Sequence, residues 1–175
     1  MTASNNLERA MHDYSERHVS VTILEMHKLT AKTTLDVDAS FLESLLGHNT
    51  RRALLAVISL FMVRMAKFEL RPVEFSVLSL ILHNPGITSR DLCCHLNILP
   101  PNLVGMVTGL EKRTLVERVP HPSDGRALGL HLTHEGIELT QKAELTATQL
   151  EQDTSERLTA TERKTLIRLL QKVYR

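Results

Sequence analysis

One stretch of this chain breaks an otherwise helical rhythm, and that break constrains the fold more than any other feature. Leu115 to Val119 and Ala127 to Leu132 are short β-compatible runs joined by His121-Pro-Ser-Asp-Gly125. Asp-Gly is a strong turn signal, and Leu128, Leu130 and Leu132 alternate as one buried face, so the stretch predicts a β-hairpin. On both sides Leu, Ala, Thr, Glu, Arg and Lys dominate, which favours helix. With only seven glycines, the composition argues against an all-β fold built from many tight turns.

The helices before the hairpin can be placed from their starts and stops. Pro72 opens one, at a position where its missing N–H costs nothing. That helix runs to His83, and Asn84-Pro85-Gly86 ends it. Thr88-Ser-Arg-Asp91 has the spacing of an N-terminal cap and opens a short helix to about Leu96. Pro100-Pro101 starts a third, to about Thr114, with Leu103, Val104, Val107 and Leu110 on its inner face. Three helices and a hairpin describe a winged helix-turn-helix.

Long helices flank this unit. Ser40-Phe-Leu-Glu43 has capping-box spacing and opens a helix to about Phe68. That helix is apolar nearly all round, including Leu45, Leu46, Leu54, Leu55, Met62, Val63 and Met65. In so small a protein such a helix points to a partner chain that contributes burial. After the hairpin, Thr133 caps a helix from His134 to about Leu158. Thr159-Ala-Thr-Glu162 is a further capping box, before a last helix expected to bury Leu166, Ile167, Leu169, Leu170 and Val173. Residues 1–38 are an extension whose Leu7, Met11, Tyr14, His18, Val21 and Leu24 recur near helical spacing. The expected organisation is therefore a 1–38 helical extension, a 39–70 dimerisation helix, a 71–133 winged lobe and 134–175 C-terminal dimerisation helices. The fold class is mainly α with a small β-hairpin wing.

Charge and composition narrow the function. Twenty-one Lys and Arg against twenty Asp and Glu give a net charge of +1, so a nucleic-acid binder of this balance must place its cations locally. Aromatics at 3% with no Trp argue against stacking platforms for single-stranded bases. The apolar run Ala53 to Phe68 carries Arg64 and Lys67 and falls short of the ~20 residues that span a bilayer. The polar start, Met1 to Arg17, does not read as a secretory signal, so a cytoplasmic protein with reduced thiols is expected. No G-x-S-x-G, H-E-x-x-H, P-loop or dinucleotide fingerprint is present, so no enzyme and no cofactor are expected. Cys93 and Cys94 are either redox sensors or packing residues in a short helix. His121, His131 and His134 surround the wing without metal-ligand spacing.

The run Leu103-Val-Gly-Met-Val-Thr-Gly-Leu-Glu-Lys-Arg-Thr-Leu-Val-Glu-Arg118 resembles the recognition helix and first wing strand of the MarR family. Asp124-Gly-Arg126 and Leu132-Thr-His-Glu-Gly136 are similar to that family's wing and its strand-to-helix junction. Leu45-Leu-Gly-His-Asn-Thr-Arg-Arg-Ala53 and Arg71-Pro-Val-Glu-Phe75 resemble its first helix and second-helix start. The likeness runs from about Phe41 to Arg175. It implies a two-fold homodimer whose Pro100 to Thr114 helix enters the major groove of a pseudo-palindromic operator, with the wing in a neighbouring minor groove. It also implies a small-molecule effector, often an aromatic carboxylate, bound between the dimer helices and the DNA-binding lobe.

On that basis Pro101, Asn102 and Thr108 are candidate major-groove contacts, with Asn102 suited to adenine. Arg126 is the candidate wing cation, with Ser123 beside it. Arg90, Lys112, Arg118 and His121 are candidate phosphate contacts. His48, Arg51 and Arg52 are candidate effector ligands, the alternative for each being a salt bridge. Three departures stand out: Gly125 where the family usually has a further arginine, Thr114 where it has a turn glycine, and the long extension. The expected function is a homodimeric repressor released by an effector. The alternative is a winged-helix dimer that acts as a protein-interaction module with weak DNA affinity.

Overall fold

The computed structural model describes residues 37–121 and 124–175, and at 121 and 124–127 the backbone alone. The helix expected over the extension therefore lies outside the described residues up to residue 36. The chain divides into two units, Met1–Leu45 and Leu46–Arg175. In the first, one turn of helix α1 spans Ser40–Glu43. Ser40 does not cap it: Ser40 N–H donates to Asp38 Oδ1 at 3.0 Å, and no side chain caps the helix at Ala39. The single helix expected from Ser40 to Phe68 is thus interrupted at Ser44 and Leu45.

The second unit runs α2 (Leu46–Met65), a 3₁₀ turn (Ala66–Phe68), α3 (Pro72–His83), β1 (Ile87–Thr88), α4 (Ser89–Leu96) and α5 (Pro100–Lys112). It continues with β2 (Val116–His121), β3 (Asp124–Leu132), α6 (His134–Thr154) and α7 (Ala160–Tyr174). Three starts follow their capping residues. Thr88 Oγ1 accepts from Asp91 N–H at 3.2 Å, Thr133 Oγ1 from Gly136 N–H at 3.0 Å, and Thr159 Oγ1 from Glu162 N–H at 3.3 Å. Each satisfies a backbone donor that the helix itself leaves unpaired. The Glu162 carboxylate, accepting in return from the Thr159 hydroxyl and N–H, is held below the usual carboxylate range.

The sheet is antiparallel in the order β1-β3-β2. Pairing of the wing extends to His121 with Asp124. Asp124 and Gly125 therefore lie in β3, not in the loop expected over 121–125. Two residues of β1 join the sheet, Ile87 opposite Leu130 and Thr88 opposite Gly129. That approach needs glycine: a Cβ at Gly129 would meet the Gly86 carbonyl oxygen at 2.9 Å.

One core joins α2, α3, α4, α5, the sheet and α6, through residues such as Met65, Leu78, Leu92, Leu103, Leu130 and Leu150. Phe61 of α2 meets Phe75 of α3 edge to face, 5.7 Å between ring centroids. Three expectations of burial change. Val104 lies about 100° around the helix from Leu103 and is exposed, while Leu103, Val107 and Leu110 form the inner face. Leu128 is exposed although it alternates in step with the buried Leu130. Helix α7 buries none of its residues in the single chain, and Leu166, Ile167, Leu169 and Val173 are 45–65% exposed. In α2 only Phe61 and Met65 are buried, leaving Leu46, Leu54, Leu55, Met62 and Val63 exposed.

Gly136, in the first turn of α6, lies against the backbone of Leu115, so an added Cβ would overlap the Leu115 carbonyl. Gly136→Ala is expected to cost about 2–3 kcal/mol in urea unfolding through this clash, and Thr133→Ala about 1 kcal/mol through the lost cap. An unchanged urea midpoint in Gly136→Ala contradicts the close approach.

Candidate nucleic-acid interface

The helix-turn-helix is built from α4, a three-residue turn and α5. Asn97 ends α4 in a left-handed conformation (φ 51°), which asparagine tolerates better than most residues. Leu99 precedes α5, whose first residues are Pro100 and Pro101. With Leu103, Val107 and Leu110 turned inward, Pro101, Asn102, Gly105, Gly109 and Lys112 are exposed and Thr108 is half-buried. A Cβ at Gly105 or Gly109 would meet nothing. The outer face of α5 is therefore low at Gly105 and Gly109, with Val104 exposed beside them, Asn102 near one end and Lys112 at the other.

Arg90 is exposed on α4, close in sequence to Thr88 and Asp91, whose side chains close the cap. Arg118 has a partner of its own. Its Nε donates to Glu111 Oε1 at 2.7 Å and its Nη2 to Glu111 Oε2 at 3.2 Å, with about a third of each side chain exposed. The hydrogen bonds to Glu111 raise the guanidinium pKa further. This forked pair ties β2 to the end of α5. Spacing alone gave no sign of it, because residues 111 and 118 lie on different elements. His121 and Arg126 fall on β2 and β3, their side chains outside the described residues, and Ser123 lies wholly outside them.

Arg113, which carried no role in the sequence reading, follows α5 directly. Its Nη1 donates to the Glu69 carbonyl at 2.9 Å and its Nη2 to the Phe68 carbonyl at 2.8 Å. Thr114 then adopts φ 55°. A β-branched residue there is strained by about 1–3 kcal/mol. Its hydroxyl lies 2.9 Å from Glu135 Oε2, and its carbonyl accepts from Thr133 Oγ1 at 2.5 Å. The usual glycine is thus replaced by a residue held in place by its neighbours.

Of the candidate effector ligands, Arg51 and Arg52 are exposed and His48 is half-buried, all in the first two turns of α2. They lie about 16 Å or more along the helix from an open groove of about 540 Å³ lined by Val63, Arg64, Lys67, Leu145, Thr146 and Gln149. At its edge Arg64 is ion-paired with Asp153. Hydrogen bonds from Gln149 and then Arg64 hold the Asp153 carboxyl below its usual range. Lys67 Nζ stands 4.9 Å from the Phe68 ring centroid. Cys93 is half-buried and Cys94 exposed. Among the described residues no group of three His, Cys, Asp or Glu gathers to hold a metal, and no helix is long and apolar enough to cross a membrane.

Three helices, a three-stranded wing and an exposed recognition helix define a winged helix-turn-helix transcriptional regulator. Comparison with known proteins gives the family: the MarR family profile matches residues 70–128. A putative transcriptional regulatory protein for the hcr operon of Thauera aromatica is 32% identical over 131 residues, covering 74% of this chain and 79% of the relative. The repressor CouR bound to a 23-mer DNA duplex superposes with a TM-score of 0.75 at 35% identity, over 81% of this chain and all of that one. CouR bound to p-coumaroyl-CoA gives 0.70 at 34% identity, over 81% and 98%. The chain belongs to the MarR family.

The Glu111–Arg118 pair makes a direct prediction for stability. In a double-mutant cycle of Glu111→Gln and Arg118→Gln, thermal unfolding is expected to give a coupling of about 0.5–1 kcal/mol that shrinks with added salt. A coupling of zero at low salt contradicts the pairing.

Proposed function

We propose that this protein is a homodimeric repressor that reads a pseudo-palindromic duplex with α5, grips it with the wing and is released by a small anionic effector. The observation that carries the reading is the outer face of α5, which presents Pro101, Asn102, Thr108 and Lys112 on a helix packed firmly from behind. An α-helix fits the major groove, where an asparagine pairs bidentately with adenine. Arg126 on β3 is the proposed minor-groove cation, with Ser123 and His121 beside it. Arg90 and Lys112 are the proposed phosphate contacts. Arg118, shared with Glu111, serves chiefly to brace the wing.

The apolar faces of α2 and α7 support a two-fold dimer, since each leaves large aliphatic side chains open in the single chain. An effector is supported by the relative bound to p-coumaroyl-CoA. His48, Arg51 and Arg52 remain candidate ligands for its anionic part, and the groove beside Arg64 and Lys67 offers a second place for one. Catalysis has no part in this reading: the work is binding, and the effector shifts the population of DNA-competent dimers.

Fluorescence anisotropy of the full chain against the duplex upstream of its own gene tests the proposal. Specific binding is expected to exceed binding to scrambled duplex by about 10³-fold or more and to weaken steeply with salt. Equal, weak binding to both duplexes overturns it in favour of a protein-interaction module. Asn102→Ala is expected to cost about 1–3 kcal/mol on the specific duplex only. Lys112→Ala is expected to flatten the salt dependence by about 1.8 in the log–log slope, about 0.9 from each subunit, while Arg118→Ala leaves it nearly unchanged.

A further inference from the structure

The end of α5 and the strand that follows it carry three cations, and they do different things. Lys112 is exposed, and Arg118 is shared with Glu111. Arg113 is half-buried and spends its charge on neutral groups, the carbonyls of Phe68 and Glu69. Those carbonyls lie where α2 and its 3₁₀ turn finish, so they belong to the unpaired acceptors that every helix end leaves. Glu69, at φ 53°, turns the chain away immediately afterwards. A planar guanidinium offers two parallel donors in a fixed fork, which a lysine ammonium does not. The result is a clamp between the end of the long first helix and the end of the recognition helix, across 44 and 45 residues of sequence.

The residue on the other side of the clamp is equally fixed. Thr114, left-handed and strained, is held to the start of α6 through Thr133 and Glu135. Two consecutive residues, Arg113 and Thr114, thus join the recognition helix to α2 on one side and to α6 on the other.

We propose that Arg113 is a positioning residue for DNA recognition: its clamp on the Phe68 and Glu69 carbonyls sets the angle at which α5 stands on α2, and so the separation of the two recognition helices in the dimer. The proposal rests on the DNA-binding reading above. Arg113 touches no phosphate in this account, and its effect reaches the duplex only through geometry. It should therefore alter specific affinity and half-site spacing while leaving counterion release alone.

The test uses the full-length dimer with Arg113→Gln and Arg113→Lys. Anisotropy is measured on the specific duplex, on a scrambled duplex and on variants whose half-sites are moved apart or together by one or two base pairs. Arg113→Gln is expected to lose about ten-fold or more in specific affinity with an unchanged salt slope and unchanged binding to scrambled DNA. Its preference among half-site spacings is expected to flatten. Arg113→Lys, which keeps one donor to one carbonyl, is expected to recover part of both effects, and it carries the test if Arg113→Gln fails to fold. Parental affinity and spacing preference in a folded variant overturn the proposal, even if the melting temperature falls. A salt slope reduced by about 1.8, about 0.9 from each subunit, also overturns it, because Arg113 is then a phosphate contact. A parent protein that prefers no duplex sequence overturns the functional reading itself, and this proposal with it.

Discussion

The backbone around Leu115 is the point on which the winged lobe turns. The Leu115 N–H closes the end of α5 on the Leu110 carbonyl, and its own carbonyl accepts from Thr133 N–H at 3.1 Å. Thr133 in turn donates its hydroxyl to Thr114 and accepts from Gly136, whose missing side chain lets α6 pass directly over Leu115. One small knot of backbone thus ends the recognition helix, opens and closes the hairpin, and launches the long helix α6. Backbone polar groups this close together must pair with one another, because burying them unpaired costs more than the strain at Thr114. The strained threonine is tolerated because its neighbours hold it on both sides.

From that knot the two halves of the second unit follow different rules. The lobe around α3, α4, α5 and the sheet shares one core with α2 and α6, and exposes only scattered aliphatic residues such as Leu99, Val104 and Leu128. The first and last helices keep broad apolar faces that the single chain does not cover. An amphipathic helix with its apolar face in water is marginal, so those faces are the proposed dimer contact and the lobes are the parts that the dimer carries. Recognition of a two-fold operator then depends on how rigidly each lobe is fixed to its long helix, which is where the guanidinium of Arg113 and the pair Glu111–Arg118 lie. An effector that changes that relation by a small amount changes the spacing of two helices at once.

Much of this was legible in the sequence because it is local. Capping threonines at 88, 133 and 159, the proline starts at 72 and 100, and the alternating residues of the hairpin act within a few positions of themselves, and the structure follows them closely. The misses are of other kinds. The capping box expected at Ser40 fails because Asp38 reaches the backbone first. Strand β1 has two residues, too few to carry a period. Leu128 alternates correctly yet stays exposed beyond the core, and the aliphatic residues of α7 have the right spacing but no cover within one chain. The clamp of Arg113 and the pair Glu111–Arg118 join residues of different elements, and no spacing rule marks such a contact. The partner of Arg118, Glu111, comes within reach only once β2 folds back along α5.

The central claim, that α5 from each of two subunits enters the major groove of one operator, is tested most directly by a footprint. Methylation protection at guanine N7 reads the major groove alone, and hydroxyl-radical cleavage reads the backbone on the same duplex. The account predicts two N7-protected patches centred about one helical turn, ~10 base pairs, apart on one face of the duplex. Flanking backbone protection should appear where the wings cross the minor groove. A single patch, or backbone protection with every guanine N7 still reactive, would contradict it.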